Sequence, residues 1–390
     1  MSAVVSTSNS HQDGRGKSGK HIVAPSSSKP SAKIVPLNEK LLLTTGNSIT
    51  SICFDDRGDR LLTCGDDEKI QLFSLSSGRL ASTNYSKKYG VDLVRFTHDI
   101  NNMVHASTKV DHAIRYHSLA ENKYLSYFRG HTNRVSSLDM SPTSANAFMS
   151  AAVYESVRLW DLRSASSQAC MVVQGHPIIR YDPTGTIFAL AFNETNKVLL
   201  YDARKWAEKP FKQMEIPDLF KNEVGGQVAV ITSLHFSPSG SQLLVGTSGP
   251  AHYILDAQKG YVVHNLTGKK TLQKASPGND AEEAGEVPST SKQKESPMVK
   301  EAGISGTECG WTPDGKYVFS VSGNKDVVFW SVTEKEEGAR IVSELTPTFS
   351  LDAYPGGFIR SAAFNPRNAM MATGGDQVAL WLPEREEKEE

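Results

Sequence analysis

One run of nine residues, Tyr85-Ser86-Lys87-Lys88-Tyr89-Gly90-Val91-Asp92-Leu93, sets two lysines between two tyrosines. Ammonium groups neutralise phosphate or carboxylate, and aromatic faces add contact area and a π-surface, so the combination suits a peptide bearing phosphates or acidic residues. Lys109, Arg115, Lys123, Tyr124 and Tyr127 follow closely and extend the same composition. Lys87, Lys88, Tyr89, Arg115, Lys123 and Tyr124 are therefore the candidate contacts for a partner. A solvated loop whose tyrosines pack against the neighbouring structural unit has the same composition, and the residues alone leave both readings open.

Other chemistry is missing from the letters. The chain has no Gly-x-Ser-x-Gly elbow, no His-Glu-x-x-His, no Gly-x-Gly-x-x-Gly after a strand and no paired-acid motif, which points away from an enzyme and towards a binding or scaffolding module. Gly14-Arg15-Gly16-Lys17-Ser18-Gly19-Lys20-His21 has the spacing of a phosphate loop, but His21 stands where Ser or Thr should hold magnesium and no strand precedes it. Cys53, Cys64, Cys170 and Cys309 are scattered without Cys-x-x-Cys spacing, so zinc is not expected; Cys53 and Cys64 read as small apolar strand residues. No catalytic residue, metal or cofactor is expected.

The elements that must carry the candidate contacts are set by a repeat. Gly130-His131 and Trp160-Asp161 lie about thirty residues apart, with short apolar stretches at Val135 to Met140, Ala147 to Ala152 and Val157 to Trp160 between them. That pattern is one WD repeat, a four-stranded antiparallel blade that needs neighbours on both faces. In such a blade His131, Ser150 and Trp160 stand where histidine, hydroxyl and indole N–H link, with Asp161 closing the motif. The customary loop aspartate is replaced by Tyr154 or Glu155, so the network reads as incomplete. Asp66 and Asp376 hold comparable loop positions in the first and last repeats.

Seven landmarks end a first strand: Phe54, Phe96, Met140, Tyr181, Phe236, Trp311 and Phe364. Seven more lie in a third strand, 17 to 20 residues on: Phe73, Tyr116, Trp160, Tyr201, Leu255, Trp330 and Trp381. The expected fold is all-β, a seven-bladed WD40 β-propeller over residues 33–385, because a ring leaves only short protected edges. The last repeat supplies three strands before Pro383, so an N-terminal strand, Lys33-Ile34-Val35 or Lys40-Leu41-Leu42-Leu43, must close the ring.

Residues 1–32, rich in Ser, Gly, Lys and Pro, read as a disordered basic arm, residues 269–305 as a disordered insertion between the fifth and sixth blades, and residues 386–390 as an acidic tail. A net charge of −1 argues against a general or sequence-specific nucleic-acid binder. No apolar run is long enough to cross a membrane and no secretory signal is visible, so the chain is expected to be intracellular.

Tyr85 to Leu93, with Arg115-Tyr116, Asn122-Lys123-Tyr124, Phe128-Arg129-Gly130-His131, Arg158-Leu159-Trp160-Asp161-Leu162-Arg163 and Ala379-Leu380-Trp381-Leu382-Pro383, closely resembles a Swd-type WD-repeat subunit. That family's subunit is shared by the COMPASS histone H3 lysine methyltransferase complex and the mRNA cleavage and polyadenylation factor. The resemblance implies a nuclear, non-catalytic adaptor. Its implied partners are the methyltransferase catalytic subunit and other COMPASS-like subunits, cleavage/polyadenylation and phosphatase-module subunits, and the phosphorylated tail of RNA polymerase II. The arm and the 269–305 insertion depart from the family pattern. The alternative is a substrate receptor of a cullin-type ubiquitin ligase, for which Trp160-Asp161-Leu162-Arg163 fits the short Trp-Asp-x-Arg pattern.

Overall fold

The computed structural model describes residues 32–36, 49–206, 208–217, 219, 223–224, 227–269, 308–321, 326–332, 342–351 and 359–383. The expectations for the basic arm before Ala32, for the insertion after Lys269 and for the acidic tail lie outside these residues.

Each landmark pair brackets a local meander. The first blade is Ile49–Phe54, Arg60–Gly65, Lys69–Ser74 and Arg79–Tyr85, hydrogen-bonded in that order. The second is Asp92–Phe96, Asn102–Ala106, Ile114–Ser118 and Lys123–Phe128, and the third is Val135–Met140, Ala147–Ala152, Ser156–Asp161 and Ser164–Val172. All seven first-strand landmarks terminate their strands, and all seven third-strand landmarks lie in theirs. Turn chemistry explains the regularity: in the first blade Asp55 carboxylate oxygens accept the amides of Arg57 and Arg60, and in the fourth Asp182 does the same for Thr184 and Ile187.

The described strands form a seven-bladed propeller, closed as expected by an N-terminal strand. Ala32–Pro36 pairs antiparallel with Val378–Pro383, Ile34 opposite Trp381, so the first of the two candidate segments is the closing strand. The Lys40 to Leu43 segment lies outside the described residues. The junction is also tied through its loops, with Ile49 N donating to Gly375 O at 2.7 Å and Asn365 Nδ2 to Gly58 O at 2.8 Å.

Blade six reaches its outer strand indirectly. After Val327–Ser331 the chain adds Ser343–Leu345 parallel to Val262–Leu266 of blade five, then returns as Phe349–Leu351 to complete its own blade. Blade five thereby becomes five-stranded, and the two blades share one connection.

The core sits between blades. Strand alternation sends one set of side chains to each face of a sheet, and adjacent faces bury each other. Between blades two and three, Leu93, Val104, Ile114 and Phe128 pack on Leu138, Phe148 and Trp160. The four cysteines are free thiols; Cys64 and Cys309 are buried and Cys53 is half-buried, the apolar role expected of Cys53 and Cys64 in the first two strands of blade one.

Candidate partner-binding site

Ser86 to Val91 joins the outer strand of blade one to the inner strand of blade two. A tight turn shapes it: Gly90 N donates to Ser86 O at 2.7 Å, and Ser86 Oγ donates to Gly90 O at 2.8 Å. Gly90 has φ +70°, and a Cβ there would fall 1.8 Å from Thr108 Oγ1, so only glycine lets the turn lie against the next loop. The Tyr89 carbonyl then accepts the amides of Thr108 and Lys109 at 3.0 and 2.8 Å, tying the lysine turn to the loop of residues 107–113.

Arg115 lies beneath the tyrosines. Its guanidinium carbon is 3.7 Å from the Tyr89 ring centre, and 5.7 and 5.6 Å from those of Tyr124 and Tyr127. Its two terminal nitrogens each donate to Asp111 at 2.9 Å, and one also donates to Ser107 Oγ. Tyr124 packs at a tilt against His117, ring centres 4.9 Å apart, and shares a 3.1 Å hydrogen bond with Ser86 Oγ. Above this layer Lys88 Nζ stands 5.0 Å from the Tyr89 ring, Lys87 Nζ 5.2 Å from Tyr85, and Arg129 5.3 Å from Tyr127. Lys88 is the main influence pulling the half-buried Tyr89 phenol below its usual range.

Two expected contacts stand differently from the rest. Arg115 is only 1% exposed, because its fork is taken by Asp111 and its face by Tyr89, so it supports the surface rather than forming it. Lys123 is exposed but in register with Ser118, at the end of its strand away from the Arg115–Tyr127 pair, and it bonds Glu121 at 2.7 Å. Lys109 is bound to Glu68 of blade one. Lys87 and Lys88 are exposed, and among the described residues neither is paired with a carboxylate. The surface therefore presents Lys87, Lys88, Tyr89, Tyr85 and Tyr127 over a fixed Arg115–Asp111 base.

In blade three the network is complete, contrary to the sequence expectation. His131 Nδ1 meets Glu155 Oε2 at 3.3 Å, and the same oxygen accepts the amides of Thr132 and Asn133. Glu155 reaches because its extra methylene spans the gap that a shorter aspartate would cross from a closer backbone. Tyr154 instead turns outward at φ 52° and bonds Glu194. Burial outweighs the pull of Glu155 and pushes His131 down to about 4, so the ring is neutral at pH 7. With Nδ1–H directed at Glu155, Nε2 accepts from Ser150 Oγ at 2.6 Å, and Ser150 accepts Trp160 Nε1–H at 2.8 Å. Asp161 stands apart from this chain: it points to the turn and holds Arg163 through its amide, Nε and Nη2 at 2.9, 2.9 and 2.6 Å. The Arg of the Trp-Asp-x-Arg pattern is thus engaged by its own Asp.

Sequence reading missed two variants of this network. His176 and Glu194 pair at the entry to blade four, where Gly175-His176 stands much closer to its strand end than Gly130-His131 does. In blade six the histidine comes from the neighbouring blade: His252 Nδ1 accepts Thr247 N at 3.0 Å, so Nε2–H donates to Ser320 Oγ at 2.8 Å. No spacing rule within one repeat signals a histidine borrowed across sixty-eight residues.

Comparison with known proteins agrees with this architecture. The WD40 family model, WD domain, G-beta repeat, matches residues 39–74 and 122–161. WD repeat-containing protein 82 of Drosophila melanogaster is 34% identical over 348 residues, 89% of this chain and 94% of that protein. COMPASS component SWD2 of Saccharomyces cerevisiae is 32% identical over 335 residues, 86% of this chain and 90% of that protein. Set1 complex component swd2 of Schizosaccharomyces pombe is 38% identical over 212 residues, covering 54% of this chain and 57% of that protein. At that identity over nearly the full length of the first two, this chain belongs to the family of WD-repeat proteins that contains SWD2 and WD repeat-containing protein 82.

Proposed function

We propose that this chain is a nuclear, non-catalytic scaffold subunit of a COMPASS-like histone H3 lysine methyltransferase complex, gripping a partner through the surface where blades one and two meet. The observation that carries the reading is the pair of exposed lysines, Lys87 and Lys88, raised on a tyrosine layer that Arg115 and Asp111 hold rigid. Fixed aromatics and cations unpaired with any described carboxylate are what an acidic or phosphorylated segment needs: charge to steer it and flat area to bury against. Relatives named as components of COMPASS and of the Set1 complex supply the identity of the assembly. The reading extends to finer roles, contact with the phosphorylated tail of RNA polymerase II and membership of the cleavage, polyadenylation and phosphatase machinery that ends transcription, for the first of which exposed cations beside aromatics are the matching chemistry.

Affinity purification of the tagged chain from nuclear extract, followed by mass spectrometry, tests the reading. Methyltransferase subunits are expected, with polyadenylation factors beside them. Recovery of a ubiquitin-ligase adaptor with both sets missing overturns it.

A further inference from the structure

Val110 is the most conspicuous apolar side chain at this end of blade two, 77% exposed, and it sits in a backbone conformation that valine resists. Its φ is +68°, and Asp111 N donates back to Lys109 O at 2.8 Å, closing a three-residue turn at Val110. The φ-positive form of that turn is rare and strained, and a β-branched side chain makes it more so. Nothing in the side chain's own packing stabilises it, since it faces solvent.

The strain is imposed by its neighbours. Lys109 is tied to Glu68 of blade one, Asp111 is held by both terminal nitrogens of Arg115, and the Tyr89 carbonyl receives the amides of Thr108 and Lys109. Three independent attachments thus fix the loop and leave its tip bare. Strain that a structure over-determines and that earns no internal contact marks a group positioned for something outside the chain.

We propose that Val110 is a hydrophobic anchor that enters an apolar socket, rimmed by anionic side chains, on another subunit of the methyltransferase complex. Charge complementarity selects the rim. The carboxylates attached to this loop, Glu68 and Asp111, are already paired, whereas the neighbouring Lys87 and Lys88 are unpaired with any described carboxylate, so the described surface around the anchor offers positive charge. Tyr85, 51% exposed, and Tyr127, 36% exposed, supply the aromatic collar. The inference rests on the scaffold reading above and names the residue through which that surface binds.

The test uses the full chain against Set1-type complex subunits assembled and purified without it. Val110→Gly and Val110→Asn both accept the left-handed backbone, so each variant is expected to melt at or above the wild-type temperature. Each is nonetheless expected to bind the subcomplex about tenfold more weakly, as loss of a buried apolar anchor does, while Val110→Ile binds like wild type. Binding of the Gly and Asn variants within about twofold of wild type overturns the proposal. So does a clear fall in their melting temperature, which means the isopropyl group holds the loop itself. Lys87→Glu with Lys88→Glu separates the two readings: if that pair weakens binding and the Val110 variants do not, only the anchor fails, and if neither does, the surface itself is wrong.

Discussion

The guanidinium carbon of Arg115 lies 3.7 Å from the centre of the Tyr89 ring, while its two terminal nitrogens each sit 2.9 Å from an Asp111 oxygen. The cation is therefore held edge-on by a carboxylate and face-on by an aromatic, a geometry open to a planar fork and closed to a lysine ammonium. Arg115→Leu removes both attachments and leaves Asp111 without its partner. Because the Asp111 side chain is 34% exposed, water recovers part of the loss, and a stability decrease of about 2–3 kcal/mol is expected in urea unfolding. Arg115→Lys should fall only partly short of that. A loss under about 0.5 kcal/mol for the leucine variant contradicts the assigned role.

Lys87 and Lys88 contribute little to the fold, because both are exposed and unpaired with any described carboxylate. Lys87→Glu with Lys88→Glu should leave stability within about 0.5 kcal/mol of wild type. Partner affinity should fall, most at low ionic strength, where exposed charges act over longer distances. Calorimetry of free protein alongside surface-based binding at two salt concentrations checks both halves; equal affinity at both salts refutes the charge argument.

Why was so much of the ring readable and so little of the site? Inner and middle strands are local meanders, so Phe54, Met140 or Trp311 announce a strand end by the turn residues that follow. The outer strand of blade six gave no such signal, since its chain first pairs along blade five. Charged residue types are ordinarily exposed, so the letters cast Arg115 as a surface contact; only the fold brings Asp111 and Tyr89 around it. Tyr154 and Glu155 were indistinguishable by spacing, and the left-handed turn at Tyr154 decides that Glu155 alone faces His131.

Buried histidines set the acid response. Burial pushes His105 down to about 3 and His131 to about 4, and holds His252 well below its usual value. A lowered histidine stays neutral when folded but takes a proton when unfolded, so stability is full above about pH 6.5 and declines as pH falls towards each folded value. Each such group contributes a slope of roughly 1.4 kcal/mol per pH unit in that window. Melting should therefore drop between pH 6.5 and 4, before most carboxylates titrate. His105→Phe should flatten part of the slope, since it gives up only the 3.3 Å bond that His105 Nδ1–H donates to Ala106 O, Nε2 having no partner among the described residues. An unchanged slope refutes the assignment.

His98 has the opposite sign. Desolvation works against its proton, but the Ser141 carbonyl at 2.8 Å and the Asp56 carboxylate at 2.5 Å more than offset that and raise it. Its stabilising contribution is full below about pH 6.5 and disappears as pH rises through the raised value. His98→Gln should thus cost stability at pH 5.5 and little at pH 8.5, measured by urea unfolding at each pH. Equal costs at both would show that the link between the three blades it touches is not ionic.

Ring closure makes the last prediction. A propeller whose final blade takes a strand from the other end of the chain has its two termini joined by ladder hydrogen bonds, here Ala32–Pro36 on Val378–Pro383. Removing that strand exposes the edge of Val378–Pro383 and opens the ring at the one place where covalent connectivity does not hold it. Loss of residues 30–45 should accordingly lower the melting temperature sharply and promote association through the bared edge. Loss of residues 1–25 removes no described strand and should leave melting unchanged. Thermal unfolding and light scattering of the two truncations decide the matter: equal effects mean that the strand pairing does not hold the ring shut.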